Sequence, residues 1–190
     1  GYYRIRLAYC AWRLGRLDEA QRGYEEGLGV LRGLLAANNL RLLSAERSYA
    51  RFLLARVDPA AAHELLTDIA ARAATALPVD HPDRIGIESE LASAEIEDAR
   101  PALAAARLSP AIAIAARVFD ANHPTLALLR QQLATALMQL DRCPEGLLVL
   151  DQVLVALRAT YAAPHFQLAT AASLESSLSI EVGDLARAEA

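Results

Sequence analysis

Between Leu126 and Leu140 the large apolar residues stand at 126, 129, 133, 137 and 140, steps of three and four that lay one stripe along a helix. Asp141-Arg142-Cys143-Pro144 interrupts the stripe, and Leu147, Leu150, Leu154 and Leu157 resume it as far as Tyr161. This pattern predicts two helices joined by a tight turn. The unit recurs. His81-Pro82 returns as His123-Pro124, 42 residues on, and another 42 reach His165, whose proline now precedes it as Pro164. One period before His81 lies Asn39, in the polar break Asn38-Asn39.

Other columns agree with this period. Ala8, Ala50, Ala92, Ala134 and Ser176 are all small, as are Ala20, Ala62, Ala104, Gly146 and Ala188. Trp12, Leu54, Ile96, Met138 and Ile180 are all large and apolar, and Tyr24 is followed by Leu66, Leu108 and Leu150. Self-similarity at such a period is the mark of a solenoid built by stacking one supersecondary unit. Copies are expected at about 1–38, 39–80, 81–122 and 123–164, with a partial one at 165–190. Each helix would have about 18 residues, or roughly 27 Å. The small columns would let paired helices approach closely, so a Leu placed there would cost about 1–3 kcal/mol.

Turn chemistry is consistent with these boundaries. Asp58 before Pro59 sets an N-cap acceptor ahead of a first-turn proline, and Asp18 and Asp184 are read as caps too. His-Pro is assigned to the other junction, with Pro82 and Pro124 in the first turn of the next helix. Gly23, Gly27, Gly29 and Gly33 read as close helix packing. Two positions depart from the pattern. Glu95 falls in a column that is otherwise apolar in Ala11, Leu53 and Leu137. Pro110 lies inside a second helix, which predicts a kink there or a split between Ala102–Leu108 and Pro110–Asp120.

Composition narrows the fold class. The chain of 190 residues holds 41 Ala and 33 Leu, with few β-branched and aromatic residues, so an all-α fold is expected. A candidate transmembrane stretch, Pro101 to Phe119, is interrupted by Arg107 and Arg117, and no signal peptide is recognised. Cys10 and Cys143 form no motif and read as small buried thiols in a reducing, cytoplasmic setting. The net charge of −4 argues against nucleic acid. Its distribution is uneven: residues 1–56 carry ten Arg and five acids, and the remainder nine Arg and eighteen acids. All 19 basic residues are Arg.

Leu14-Gly15-Arg16-Leu17-Asp18-Glu19-Ala20 followed by Tyr24, with the His-Pro-initiated copies, resembles the tetratricopeptide family. The fit is to its long-period variety, found in kinesin light chains and in many bacterial signalling proteins. The resemblance covers the whole chain and implies a right-handed superhelical α-solenoid of antiparallel helix pairs, about four and a half repeats in one domain. It implies a protein- or peptide-binding scaffold, set as a regulatory segment in a larger bacterial signalling or transcription-control protein. Both ends read as cut from such a protein. Alternatives are a structural module that self-associates through its ends or through opposite charge, and a sensor of signalling peptides.

Catalysis is not expected, and neither is a cofactor, a metal or a membrane partner. Nucleotide, zinc-protease, hydrolase and redox motifs are missing from the sequence. His81, His123 and His165, one helix spacing or more apart, cannot share an ion whose ligands stand near 2 Å. What remains is a surface. By the resemblance, the first helix of each pair lines a concave groove, through the columns of Ile5, Tyr9, Trp12 and Arg13. Arg47 and Arg51 would stand beside Arg13 there, and the cluster of Tyr9, Trp12, Arg13, Arg47 and Arg51 would take an acidic or C-terminal segment of a partner. Later copies would present Ser89, Ser93, Gln131, Thr135, Ser173 and Ser177, with Glu97 and Glu181 in the Arg13 column. The family's chaperone-tail clamp relies on Lys and Asn, and this chain has no Lys.

Overall fold

A computed structural model describes residues 1–56, 58–161 and 165–188; Pro164 lies outside these. Among them are ten helices and no strand. The first helices of the pairs are α1 (Tyr2–Arg13), α3 (Leu40–Ala55), α5 (Pro82–Glu97), α7 (Pro124–Gln139) and α9 (Phe166–Glu181). The second helices are α2 (Leu17–Leu34), α4 (Pro59–Ala76), α6 (Pro101–Val118), α8 (Cys143–Thr160) and the short α10 (Leu185–Ala188). From α3 onward every first helix has 16 residues, and every second helix from α2 to α8 has 18. From α2 to α9, starts and ends repeat at 42 residues without slippage.

The tight turns show why. Among the described residues, four of them end a helix with a left-handed residue: Gly15 (φ 76°), Ala99 (φ 53°), Asp141 (φ 57°) and Gly183 (φ 78°). These four share one 42-residue column. The next residue's N–H returns to the carbonyl five back, Arg16 to Ala11 at 2.9 Å, Arg100 to Glu95 at 2.7 Å and Arg142 to Leu137 at 2.9 Å. This is the Schellman arrangement, which satisfies the last carbonyls of the helix.

The longer junctions are capped by side chains. Asn39 accepts from Arg41 N–H at 3.0 Å, and Nδ1 of His81, His123 and His165 accepts from Asp83, Thr125 and Gln167 N–H at 3.1, 3.2 and 3.3 Å. His123 stacks on Phe119 at 4.1 Å and His165 on Tyr161 at 3.8 Å. The repeated histidine therefore starts a helix with its ring nitrogen. Asp58 caps α4 through Ala61 N–H at 3.2 Å. Asp18 does not cap: α2 begins at Leu17, and Asp18 sits in its first turn, where a carboxylate favours the positive end of the helix dipole.

Packing divides the chain into two compact units, Gly1–Ala94 and Glu95–Ala190. In the first, α1 packs on α2, α3 on α4, and α3 on both α1 and α2. Its core gathers Ile5, Ala8, Tyr24, Leu28, Leu42 and Phe52, then Ala50, Leu66, Ile69 and Leu91. In the second, α7 packs on α6 and α8, and α8 on α9, over Ala134, Leu150, Val153, Leu154, Ala171 and Leu178. Ala8, Ala50, Ala92 and Ala134 are all buried, as are Ala20, Ala62 and Ala104. A Cβ on Gly23 would stand 3.0 Å from Ala8 Cβ, and one on Gly27 would stand 2.8 Å from Ile5 Cδ1, so these two glycines do serve close packing. Gly29 and Gly33 face open space.

Two further expectations are corrected. The helix containing Pro110 neither splits nor stops: α6 runs unbroken through it. Pro110 is exposed, so the carbonyl it leaves without a partner can be hydrated, while Leu108 and Ala111 on the opposite face are buried and hold the register. Cys143 is buried, but Cys10 is exposed. Among the described residues α6 is also the one helix long and apolar enough to cross a membrane. Its Arg107, however, binds the buried Glu95 carboxylate (Nη2 to Oε1, 2.8 Å), and Ala104, Leu108, Ala111 and Ala115 are buried within the protein.

Candidate functional site

In the first unit α1 and α3 lie side by side, and a cavity of about 310 Å³ opens between them. Tyr2, Arg6, Tyr9 and Cys10 of α1 line one wall, at helical spacings that put them on one face. Ser44, Ser48 and Arg51 of α3 line the other, and Ile5 and Ala45 form the apolar floor. Every charged residue in this lining is an arginine. Arg6 is exposed and makes no ion pair among the described residues. Beneath the cavity Tyr24 is fully buried, and its hydroxyl meets Ser48 Oγ at 2.9 Å. Burial raises the Tyr24 pKa, against the opposing pull of the Ser48 bond and the Arg51 charge, so this phenol stays neutral.

The structure separates the residues that the repeat pattern grouped. Tyr9 and Arg51 do line one cavity. Trp12 is half-buried, edge-on to Phe52 at 6.0 Å and to Tyr9 at 5.7 Å, and so walls the core of the unit. Arg13 is exposed at the end of α1, outside the cavity lining.

Arg47 is committed elsewhere. Its Nε and Nη2 bind Glu90 at 3.0 and 3.1 Å and its Nη1 binds Asp83 at 3.0 Å, leaving the side chain 16% exposed. Burial pulls the Arg47 pKa down, but Glu90 and Asp83 outweigh it and raise it. Ser93 is half-buried on α5 in the first unit. Glu97, Gln131 and Thr135 belong to the second unit; Glu97 is exposed, and Thr135 donates to the Gln131 carbonyl of its own helix at 3.1 Å.

Sequence reasoning missed Arg6, Ser44 and Ser48. The signal was present: Tyr2, Arg6, Tyr9 and Arg13 step by four, three and four, and Ser44-Ser48-Arg51 repeats the first three positions one period later. Attention to single columns hid the face that adjacent columns share.

The other buried charges are structural. Glu46, on α3, takes Arg32 Nε at 2.9 Å and Arg72 Nη2 at 2.5 Å. Arg72 also donates to the Ala37 carbonyl at 2.7 Å, which ties α4 to the junction before α3. Among the described residues no group of three or more His, Cys, Asp or Glu is placed to hold a metal ion.

No family model matches this sequence, and no curated protein matches it. Solved structures do. The crystal structure of a putative kinesin light chain from Podosopora anserina, with nearly identical TPR-like repeats, superposes with a TM-score of 0.84 at 23% identity. That match covers 98% of this chain and 89% of the other. A substituted form of the same protein superposes with a TM-score of 0.86 at 24% identity, over 98% of this chain and 88% of that one. BtubC (BKLC) from P. vanneervenii matches with a TM-score of 0.80 at 15% identity, over 96% of this chain and 73% of that one. At these identities the likeness is one of fold: an all-α helical repeat solenoid of the tetratricopeptide kind.

Proposed function

We propose that this chain is a protein-binding scaffold and that the cavity between α1 and α3 receives an acidic segment of a partner. The observation that carries the reading is the cavity's lining: Arg6 and Arg51 with the hydroxyls of Ser44 and Ser48, two tyrosines, and no acid. A planar guanidinium can bind a carboxylate through two parallel hydrogen bonds, and the tyrosines supply rigid contact area beside it. The arginine cluster thus changes from Arg13–Arg47–Arg51 to Arg6–Arg51, because Glu90 and Asp83 already occupy Arg47. Exposed pairs of this kind are each worth about 0.2–1 kcal/mol, so binding is modest and weakens with salt.

The setting belongs to the same proposal: an interaction segment of a larger bacterial signalling or transcription-control protein, in the cytoplasm, where its two thiols stay reduced. It rests on the resemblance and on the fold. The test uses a fluorescein-labelled hexaglutamate peptide and fluorescence anisotropy at low salt. Binding is expected to the native chain and not to the Arg6→Glu/Arg51→Glu variant, with both proteins folded in thermal melts. Equal binding by the two proteins overturns the reading.

One observation favours a second reading, self-association: the first 56 residues are net basic and the remaining ones net acidic. Head-to-tail contact of that kind would raise the mass in solution at low salt and lose it at high salt. A monomer at all concentrations in light scattering removes this alternative.

A further inference from the structure

Asp83, Gly86 and Glu90 stand three and four residues apart along α5 and so share one helical face. The Arg47 guanidinium from α3 lies across that face. Glu90 holds it by two hydrogen bonds, Asp83 by a third, and Gly86 leaves the room it needs, since a Cβ there would stand 2.6 Å from Arg47 Nη2. Glu90 is therefore fixed in place, with its side chain 14% exposed. Its Oε1 also stands 3.8 Å from Nε of Arg51, one turn along α3 from Arg47. Arg51 is 52% exposed and lines the cavity. It thus has an acidic neighbour on one side and the cavity on the other. Arg6, the other cavity arginine, makes no ion pair among the described residues.

We infer that Glu90 is an internal competitor for Arg51 and sets the affinity of the cavity for acidic partners. Arg47 holds the Glu90 carboxylate where a bound carboxylate has to displace it from Arg51. Because Glu90 and Asp83 engage all three nitrogens of Arg47, it contributes through Glu90 and not by touching the ligand. In the 42-residue register the Glu90 column reads Arg6, Ser48, Gln132 and Leu174 in the other copies, so the competing carboxylate is particular to this place. The inference rests on the reading of the α1–α3 cavity as an acid-binding site.

The test is hexaglutamate anisotropy on the full chain at about 20 mM salt, where surface charges are little screened. Glu90→Gln is expected to tighten binding about threefold to fivefold, as release of one exposed ion pair allows. The gain should vanish at about 0.5 M salt. Glu64→Gln, the same change of charge at an exposed site on α4, should leave affinity at the native value. Arg47→Gln should weaken binding, since Glu90 then turns wholly to Arg51. Added to Glu90→Gln, it should do nothing.

If Glu90→Gln and Glu64→Gln bind alike while Arg6→Glu/Arg51→Glu abolishes binding, Glu90 is a structural clamp only, and the inference falls with the cavity reading intact. If the Arg47→Gln/Glu90→Gln double variant binds more weakly than Glu90→Gln alone, Arg47 touches the ligand and the inference also falls. If neither native protein nor Glu90→Gln binds hexaglutamate, the cavity reading fails and takes the inference with it. Thermal melts of each variant separate these outcomes from loss of fold.

Discussion

Ala99 is the residue where the repeat geometry and the local chemistry disagree most. It occupies the left-handed position of a Schellman turn at φ 53°, in the column that holds Gly15 and Gly183. An L-residue with a Cβ loses about 1–2 kcal/mol in this conformation, which glycine adopts freely. Ala99→Gly releases that strain but adds freedom to the unfolded chain, worth roughly 0.4–1 kcal/mol in the opposite sense. Ala99 is exposed, so no side-chain packing is lost. The net expectation is a gain of about 0.5–1 kcal/mol.

Gly15→Ala is the mirror experiment. Nothing lies within 4 Å of where its Cβ would be, so the change tests backbone conformation alone and should lower stability by about 1 kcal/mol. Asp141→Gly should gain less than Ala99→Gly, because Asp tolerates the left-handed region better than Ala. Urea unfolding followed by far-ultraviolet circular dichroism reads all three. With a slope of about 2 kcal/mol per molar, Ala99→Gly should raise the midpoint by roughly 0.3–0.5 M at unchanged slope. A midpoint that does not move, or that moves the same way in Ala99→Gly and Gly15→Ala, refutes the reasoning.

Two further perturbations test the interior. Arg107→Val should cost about 3–5 kcal/mol by taking the guanidinium away from the Glu95 carboxylate, 1% exposed, whereas Glu95→Leu/Arg107→Val should be neutral or stabilising by about 1–4 kcal/mol; urea midpoints of the cycle decide it, and a double variant as weak as Arg107→Val rejects it. For pH, burial holds the Tyr24 pKa above its ordinary value, and burial with the Glu25 charge does the same for Tyr49, so folding favours the neutral phenols. That stability is complete below the unfolded value of about 10 and is lost as pH rises from there through the folded values, so urea midpoints should fall above about pH 10 and fall less steeply in Tyr24→Phe.

How much of this was legible in the sequence follows from what repeats. The 42-residue period was carried by small residues whose replacement would separate helices, and by His and Asn caps that start them. Each of these acts within one pair or one junction, so each copy states it again. The left-handed turn column was harder to see, because Ala99 and Asp141 conceal the role that Gly15 and Gly183 announce. Pro110 does not split its helix, because it and Ala106, whose carbonyl loses a donor, are both exposed, where water can replace the missing N–H.

The candidate site was least legible because it depends on pairs that belong to no column. Glu95 looked like a lone defect in an apolar column, yet its partner Arg107 is the matching departure in the column of Gly23, Leu65 and Val149, 12 residues on. Arg47 looked like a groove cation and is neutralised by Glu90, 43 residues away, one more than the repeat. A period predicts the positions that every copy must fill alike. Specificity lies in the exceptions that compensate one another, and a compensated exception leaves a periodic pattern as two unrelated errors. The surface that remains for a partner is therefore the charge left over after such pairing. On the proposed reading the cavity between α1 and α3 offers two such charges, Arg6 and Arg51, the latter 3.8 Å from Glu90.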